Sequence, residues 1–369
     1  MHASPVVSVR GHRATTADRP RQGSQSVQGA ANLRFPKNRS GGLPIKLARR
    51  QFLHLAAGAA ALPAVSRLAW AQTYPAKPVR IVVGFPAGGQ IDILARLIGQ
   101  WLSERLGQPF IIDNRPGASS NIGTQAVVRA PADGHMLLLA NGTNAINATL
   151  YDNLNFDFIR DTAAIASINR IPLVLEVHPS FPAKTVQELI AHAKANPGKV
   201  DLATAPKGTA PYMAAELFKI VGGVDLVHVP YRGDGEVVTD LLGGQVPAAF
   251  GGISASIQHI RAGKLRVLAV ATAARLEALP DIPTVGDSVP GFEASGWCGI
   301  VAPKNTPVGI IDKLNREINA GLADPKIKAR LADVGVTVFA GSPAEFAKHI
   351  VDETEKWGKV IRTANIKPD

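Results

Sequence analysis

The sequence holds a single cysteine, Cys298, among 369 residues. One thiol excludes a disulfide framework and any cysteine-based zinc or iron–sulfur centre. Next to Trp297 it reads as a small buried hydrophobe. Aromatic residues reach only 5%, too few for the stacking platforms that hold single-stranded nucleic acid. There is no His-Glu-x-x-His, no Gly-x-Ser-x-Gly nucleophile elbow and no Walker lysine, and the histidines show no metal-ligand spacing. No cofactor, metal or catalytic residue is therefore expected. After residue 73 no stretch reaches the ~18 uninterrupted apolar residues of a membrane span.

Basic charge is present in excess, with 40 Lys+Arg against 29 Asp+Glu and a formal charge of +11. It is unevenly placed. Residues 1–72 carry eleven basic side chains and one acid, so the remaining 297 residues are close to neutral at +1. A basic tail is not a basic folded surface, and nucleic acid is not an expected partner. Residues 1–45 are rich in Arg, Ser, Gly, Gln and Pro without apolar periodicity, and read as a disordered or untranslated extension. Arg49-Arg50, an apolar stretch from Leu55 to Ser66 and Ala69-Trp70-Ala71 follow in order. That is the layout of a twin-arginine export signal cleaved near Ala71, which predicts a periplasmic protein.

The rest of the chain is 46% hydrophobic overall and well supplied with glycine and proline. Val79 to Phe85 reads as a strand that passes through Pro86-Ala87-Gly88-Gly89 into apolar residues at helical spacing, from Ile93 to Leu106. Strand and helix signals then alternate. Strands are expected at 110–113, 135–140, 173–177, 202–205, 224–229, 247–250, 265–271 and 299–302, and helices at 119–130, 307–322, 325–333 and from Pro343 to about Asn365. Thr185–Glu188 and Ser342–Glu345 have capping-box spacing. The fold class is α/β, with mostly parallel sheets flanked by helices. About 297 residues is long for one such core, so two lobes are expected, 73–175 with 295–369 and 176–294, with a ligand cleft between them.

Pro75-x-Lys77-Pro78 with Phe85-Pro86-Ala87-Gly88-Gly89-x-x-Asp92 resembles the mature start of the Bug/TctC solute receptors of tripartite tricarboxylate transporters. So do Asn114-Arg115-Pro116-Gly117-Ala118, Val227-His228-Val229-Pro230-Tyr231, Asp240 to Val246 and Leu279-Pro280-Asp281-Ile282-Pro283. Together these segments cover nearly all of 73–369. The resemblance implies a two-lobed periplasmic binding protein of type II-like fold, monomeric and non-enzymatic. It would close over a small organic acid and deliver it to membrane permease subunits.

The candidate site follows from both lines. A Gly-rich turn entering a helix exposes unpaired amides, which makes Phe85, Ala87, Gly88 and Gly89 an anion loop or a plain tight turn. Asp92 lies in the first helical turn, where it complements the dipole or accepts from a ligand. The loop with Lys207, Gly208, Thr209 and Tyr212 repeats the layout, and Lys207 offers a cation to a second carboxylate or is a solvated lysine. Thr143 and Asn144 are ligand partners or ordinary turn residues. Tyr231 and Arg232 form another candidate loop. Gly251 stands where many relatives carry Asp, which favours di- or tricarboxylates and aromatic acids over amino acids. A ligand sensor that docks on a histidine kinase and a secreted hydrolase are the alternatives.

Overall fold

The computed structural model describes residues 74–333 and 335–368. The expected extension and export signal lie outside the described residues. Strand β1 (Val79–Val83) is buried at every position but Arg80, and it feeds the long helix α1 (Gln90–Leu106). Strand β2 (Phe110–Asn114), helix α2 (Asn121–Val128) and strand β3 (Met136–Asn141) complete a parallel trio with β1 at the centre. Helix α1 lies close to β2 because Gly99 carries no side chain. A Cβ there would stand 3.0 Å from Ile112 and 3.3 Å from the Phe110 carbonyl.

Helix α3 (Gly142–Leu150) and the short α4 (Phe158–Asp161) lead into β4, a 16-residue strand from Thr162 to Val177. The next units are α5 (Val186–Ala195), β5 (Asp201–Thr204), α6 (Ala210–Gly222), β6 (Val227–Pro230), α7 (Asp234–Leu242), β7 (Ala248–Gly252), α8 (Ile253–Arg261) and β8 (Arg266–Val270). A loop then reaches β9 (Ser295–Pro303), followed by α9 (Val308–Ala323), α10 (Pro325–Asp333), the two-residue β10 (Thr337–Val338) and α11 (Pro343–Thr363).

The strand order is β2-β1-β3-β9-β4-β7-β5-β6, with β8 and β10 both on β4. At each end three strands run parallel, while β9 and β4 pair antiparallel with their neighbours. Strand β4 changes partners part-way along. Thr162 to Pro172 pair with β9, and Leu173 to Val177 pair with β7 and β8. The switch at Pro172/Leu173 divides the sheets and gives the α/β fold its two-lobed form. One apolar core surrounds β1, α1 and α9, and another surrounds β5, α6 and α11.

One local expectation needs correction. Thr185 accepts from the Glu188 amide at 3.1 Å, but the Glu188 carboxylate turns to the Lys184 amide at 2.6 Å rather than to Thr185. The Ser342–Glu345 box closes in both directions, at 3.2 and 2.7 Å. Cys298 is fully buried, and burial pushes its thiol up to about 12, which leaves it inert at neutral pH.

Candidate ligand-binding site

A cavity of about 430 Å³ lies where the strand ends of both sheets meet. Five helices begin on its wall, at Gly89 (α1), Asn141 to Thr143 (α3), Thr209 (α6), Gly233 (α7) and Gly252 (α8). The cause is the alternation of strand, short turn and helix, which leaves helix N-termini beside the carboxyl ends of strands. Four of these five starts have no side-chain cap, so α1, α6, α7 and α8 keep first-turn amides for another partner. Only α3 is capped, by Asn141 and Asn144, with 2.9 Å bonds in both directions. Partial positive charge from several helices therefore gathers on one small volume, the arrangement that favours a bound anion.

Side chains fix this frame. The Asp92 carboxylate accepts from the Gly88 amide at 2.8 Å, from Arg96 at 2.9 and 3.1 Å, and from Asn114 at 3.0 Å. Arg96 chiefly, helped by the Gly88 and Asn114 donors, holds the Asp92 carboxyl down at about 2. Gln90 donates to Ser254 of α8 at 3.1 Å and so links helices of the two sheets. Trp297 forms part of the wall, and its indole N–H donates to the buried Glu353 at 3.3 Å.

Among the described residues, two ionisable ones line the cavity, Arg232 and Asp234. The Asp234 Oδ1 atom is buried and has no hydrogen-bond partner among the described residues. Burial pushes Asp234 up to about 6, against the pull of the Gly252 amide. On β4, Glu176 is completely buried, with neither carboxylate oxygen partnered among the described residues. Its burial pushes it up to about 8; the nearby Ser256 hydroxyl offsets part of this and the Asp234 charge adds to it.

The family model for the tripartite tricarboxylate transporter family receptor matches residues 94–366. The chain belongs to this receptor family. The receptor is 36% identical over 300 residues to protein BugT of Bordetella pertussis, covering 80% of this chain and 92% of that one. Among solved structures, Rpa4515 of R. palustris with adipate is 36% identical with a TM-score of 0.71, covering 80% of this chain and all of that one. MatC of Rhodopseudomonas palustris with bound malate is 30% identical with a TM-score of 0.68, covering 78% of this chain and all of that one. The family is one of periplasmic substrate-binding receptors, not enzymes.

Of the residues singled out in the sequence, the receptor brings Phe85, Ala87, Gly89, Thr143, Thr209 and Arg232 to the cavity wall. Gly88 lies between two wall residues, and its amide is taken by Asp92. Asp92 and Asn144 are buried and bonded within the protein, Asp92 as a brace and Asn144 as a helix cap. Gly208, Lys207 and Tyr212 are not wall residues, and Tyr212 packs its ring against His228 with centroids 4.5 Å apart. Tyr231 turns its hydroxyl away to donate to Asp240 at 2.8 Å. Gly251 is buried in β7, and a Cβ added there would lie 3.5 Å from a Glu176 oxygen.

Sequence reasoning missed Gln90, Asn141, Asp234 and Trp297 as wall residues. Asn141 and Asp234 carried a usable signal. Asn141 stands three residues before Asn144, a reciprocal cap, and Gly233-Asp234 repeats the strand–Gly–helix entry seen at Gly89. Trp297 and Glu353 are separated by 56 residues, and no spacing rule connects them.

Proposed function

We propose that the chain is exported to the periplasm, loses its leader near Ala71, and binds a small dicarboxylate in this cavity for delivery to the permease subunits of a tripartite tricarboxylate transporter. The single observation that carries this reading is the convergence of five helix starts, four without side-chain caps, on one cavity. One carboxylate seats against the amides of Gly89, Gln90 and Ile91, since the Gly88 amide is already used. Each charge-assisted bond of that kind contributes about 1.5–3 kcal/mol. The volume falls within the ~300–1,000 Å³ of small-molecule sites. Relatives solved with adipate and malate support a ligand with two acidic ends.

The lobes are 73–175 with 295–369 and 176–294, the partner switch in β4 lying a few residues before the first boundary. Ligand pulls the lobes together over the cavity, and the Gln90–Ser254 bond is one contact made across it. A thermal-shift screen of succinate, adipate, malate, citrate and benzoate against neutral sugars and amides tests the reading. Ligand at a hundred times Kd adds about 2.7 kcal/mol, which raises Tm by several degrees at roughly 2–4 °C per kcal/mol. A sugar or amide that raises Tm while no acid does overturns it.

A further inference from the structure

Among the described residues, Asp234 is the only acid on a cavity wall built to attract anions. It stands at the first position of α7, two residues after Arg232, the only base on the wall among the described residues. A negative side chain at a helix start is favoured by the dipole whether or not a ligand exists. That accounts for the presence of an acid but not for its geometry. One oxygen is directed to Gly252 and the other, Oδ1, is buried without a partner among the described residues. A buried acceptor left unpaired costs about 1–3 kcal/mol, more when charged.

The backbone beneath is shaped to seat it. A Cβ on Gly252 would come within 2.9 Å of Asp234 Oδ2, so any side chain there would push the carboxylate from its place. Its neighbour Gly251 lies beside Glu176 of β4, which is completely buried with both oxygens unpartnered among the described residues. The strand that lacks a carboxylate of its own at position 251 is thus flanked by two, one in the wall and one behind it.

We propose that Asp234 is a specificity-determining residue that accepts a hydrogen bond from a donor group, hydroxyl or ammonium, on the bound acid. This rests on the carboxylate-binding reading above. The ligand's first carboxylate meets the uncapped amides, Arg232 takes the second, and a donor beside that second carboxylate meets the Asp234 carboxylate, which turns from its buried position to accept it. An unsubstituted dicarboxylate offers no donor there and leaves Asp234 facing only negative charge. Such a site rejects an analogue lacking the hydrogen-bonding group because its own buried acceptor is then stranded.

Isothermal titration calorimetry of the purified protein with two matched series tests this: succinate, malate and aspartate, and adipate, 2-hydroxyadipate and 2-aminoadipate. In at least one series a donor-bearing acid is expected to bind at least tenfold more tightly than its plain counterpart. Asp234→Ala should bring that preference below threefold while the plain acid binds no more weakly than before. Asp234→Asn, which keeps an acceptor but not the charge, should retain a preference for hydroxyl and lose one for ammonium, which separates the two donors. Plain acids that bind the unaltered protein as tightly as their substituted partners overturn the proposal without any variant. So does an Asp234→Ala variant that weakens plain and substituted acids equally. Binding of no acid in either series removes the carboxylate reading itself, and this proposal with it.

Discussion

The Asp92 carboxylate accepts the amide of Gly88 four residues before it, at 2.8 Å, and so ties the apex of the glycine loop after β1 to the helix that follows. Gly88 has φ of +85°, a conformation that favours glycine, and the bond from Asp92 holds it there. Asp92, for which the sequence left open a structural and a ligand-accepting role, is bonded within the protein and sets the shape of the loop.

Replacing Asp92 removes that brace and leaves Arg96, Asn114 and the Gly88 amide without their shared acceptor. Asp92→Ala is expected to lower stability by about 1.5–3 kcal/mol and to weaken ligand binding at least tenfold, as read by thermal melts and calorimetry. The pH profile has a definite sign. A carboxylate whose folded-state pKa is depressed contributes its full stability above its unfolded value of ~3.9 and loses it as pH falls toward the folded value. Asp92, held at about 2, should make no difference to the pH dependence of the melt above pH ~4 and should steepen its fall below that.

Glu353 accepts from two indoles, Trp297 at 3.3 Å and Trp357 at 2.9 Å, and pairs with Lys356. It is buried, so Glu353→Ala strands two N–H donors at about 1–3 kcal/mol each. Thermal melts should show that loss. Calorimetry should show weaker ligand binding as well, because Trp297 is part of the cavity wall. An affinity that stays unchanged while Tm drops would separate the wall from the C-terminal helix.

The buried Glu176 gives the opposite pH dependence to Asp92. Its folded pKa is raised to about 8, so the folded state holds a proton that the unfolded state releases above pH ~4.3, and stability falls as pH rises between those values. Glu176→Gln should therefore stabilise the protein by roughly a few kcal/mol near pH 8 and far less at pH 5, which lies less than one unit above the ~4.3 of the unfolded state, so that little of the proton-linked cost has accumulated. Melts at the two pH values check this. A variant that shifts Tm equally at both shows that the carboxyl is ionised throughout.

Capture by local amides and one arginine differs from capture by a broad basic surface. Residues 73–369 carry a formal charge of only +1. Raising ionic strength from about 0.02 to 0.3 M should then change ligand affinity by no more than roughly threefold, since contacts shorter than a Debye length are weakly screened. A tenfold or greater loss would point to long-range attraction.

Much of the fold was legible because it depends on local pattern. Strand β1, helix α1 and the Ser342-capped helix α11 each announce themselves by periodicity and a terminal signal. The first part of β4 did not, because Ser167 and Asn169 are buried polar residues that interrupt the apolar run a core strand would show. Helix α3 was hidden for a related reason. Gly142, Thr143 and Asn144 have turn composition, and only the reciprocal bonds of Asn141 and Asn144 make them a helix start.

The site divides along the same line. Loops that end a strand and open a helix could be found from composition, and Gly89, Thr143 and Thr209 do line the cavity. Whether a polar side chain in such a loop faces ligand or protein depends on neighbours distant in sequence. Tyr231 turns to Asp240, while Asp234, three positions on from it, lies in the cavity wall beside Gly252. Spacing could not separate those outcomes.

The most direct test of carboxylate capture is calorimetry with a dicarboxylate and its diamide, matched in length and shape and differing in the charge offered to the helix starts. Tight binding of the acid with a loss of at least a hundredfold for the diamide is the expected result. A diamide that binds as tightly as the acid would contradict the assignment of this cavity to an anion.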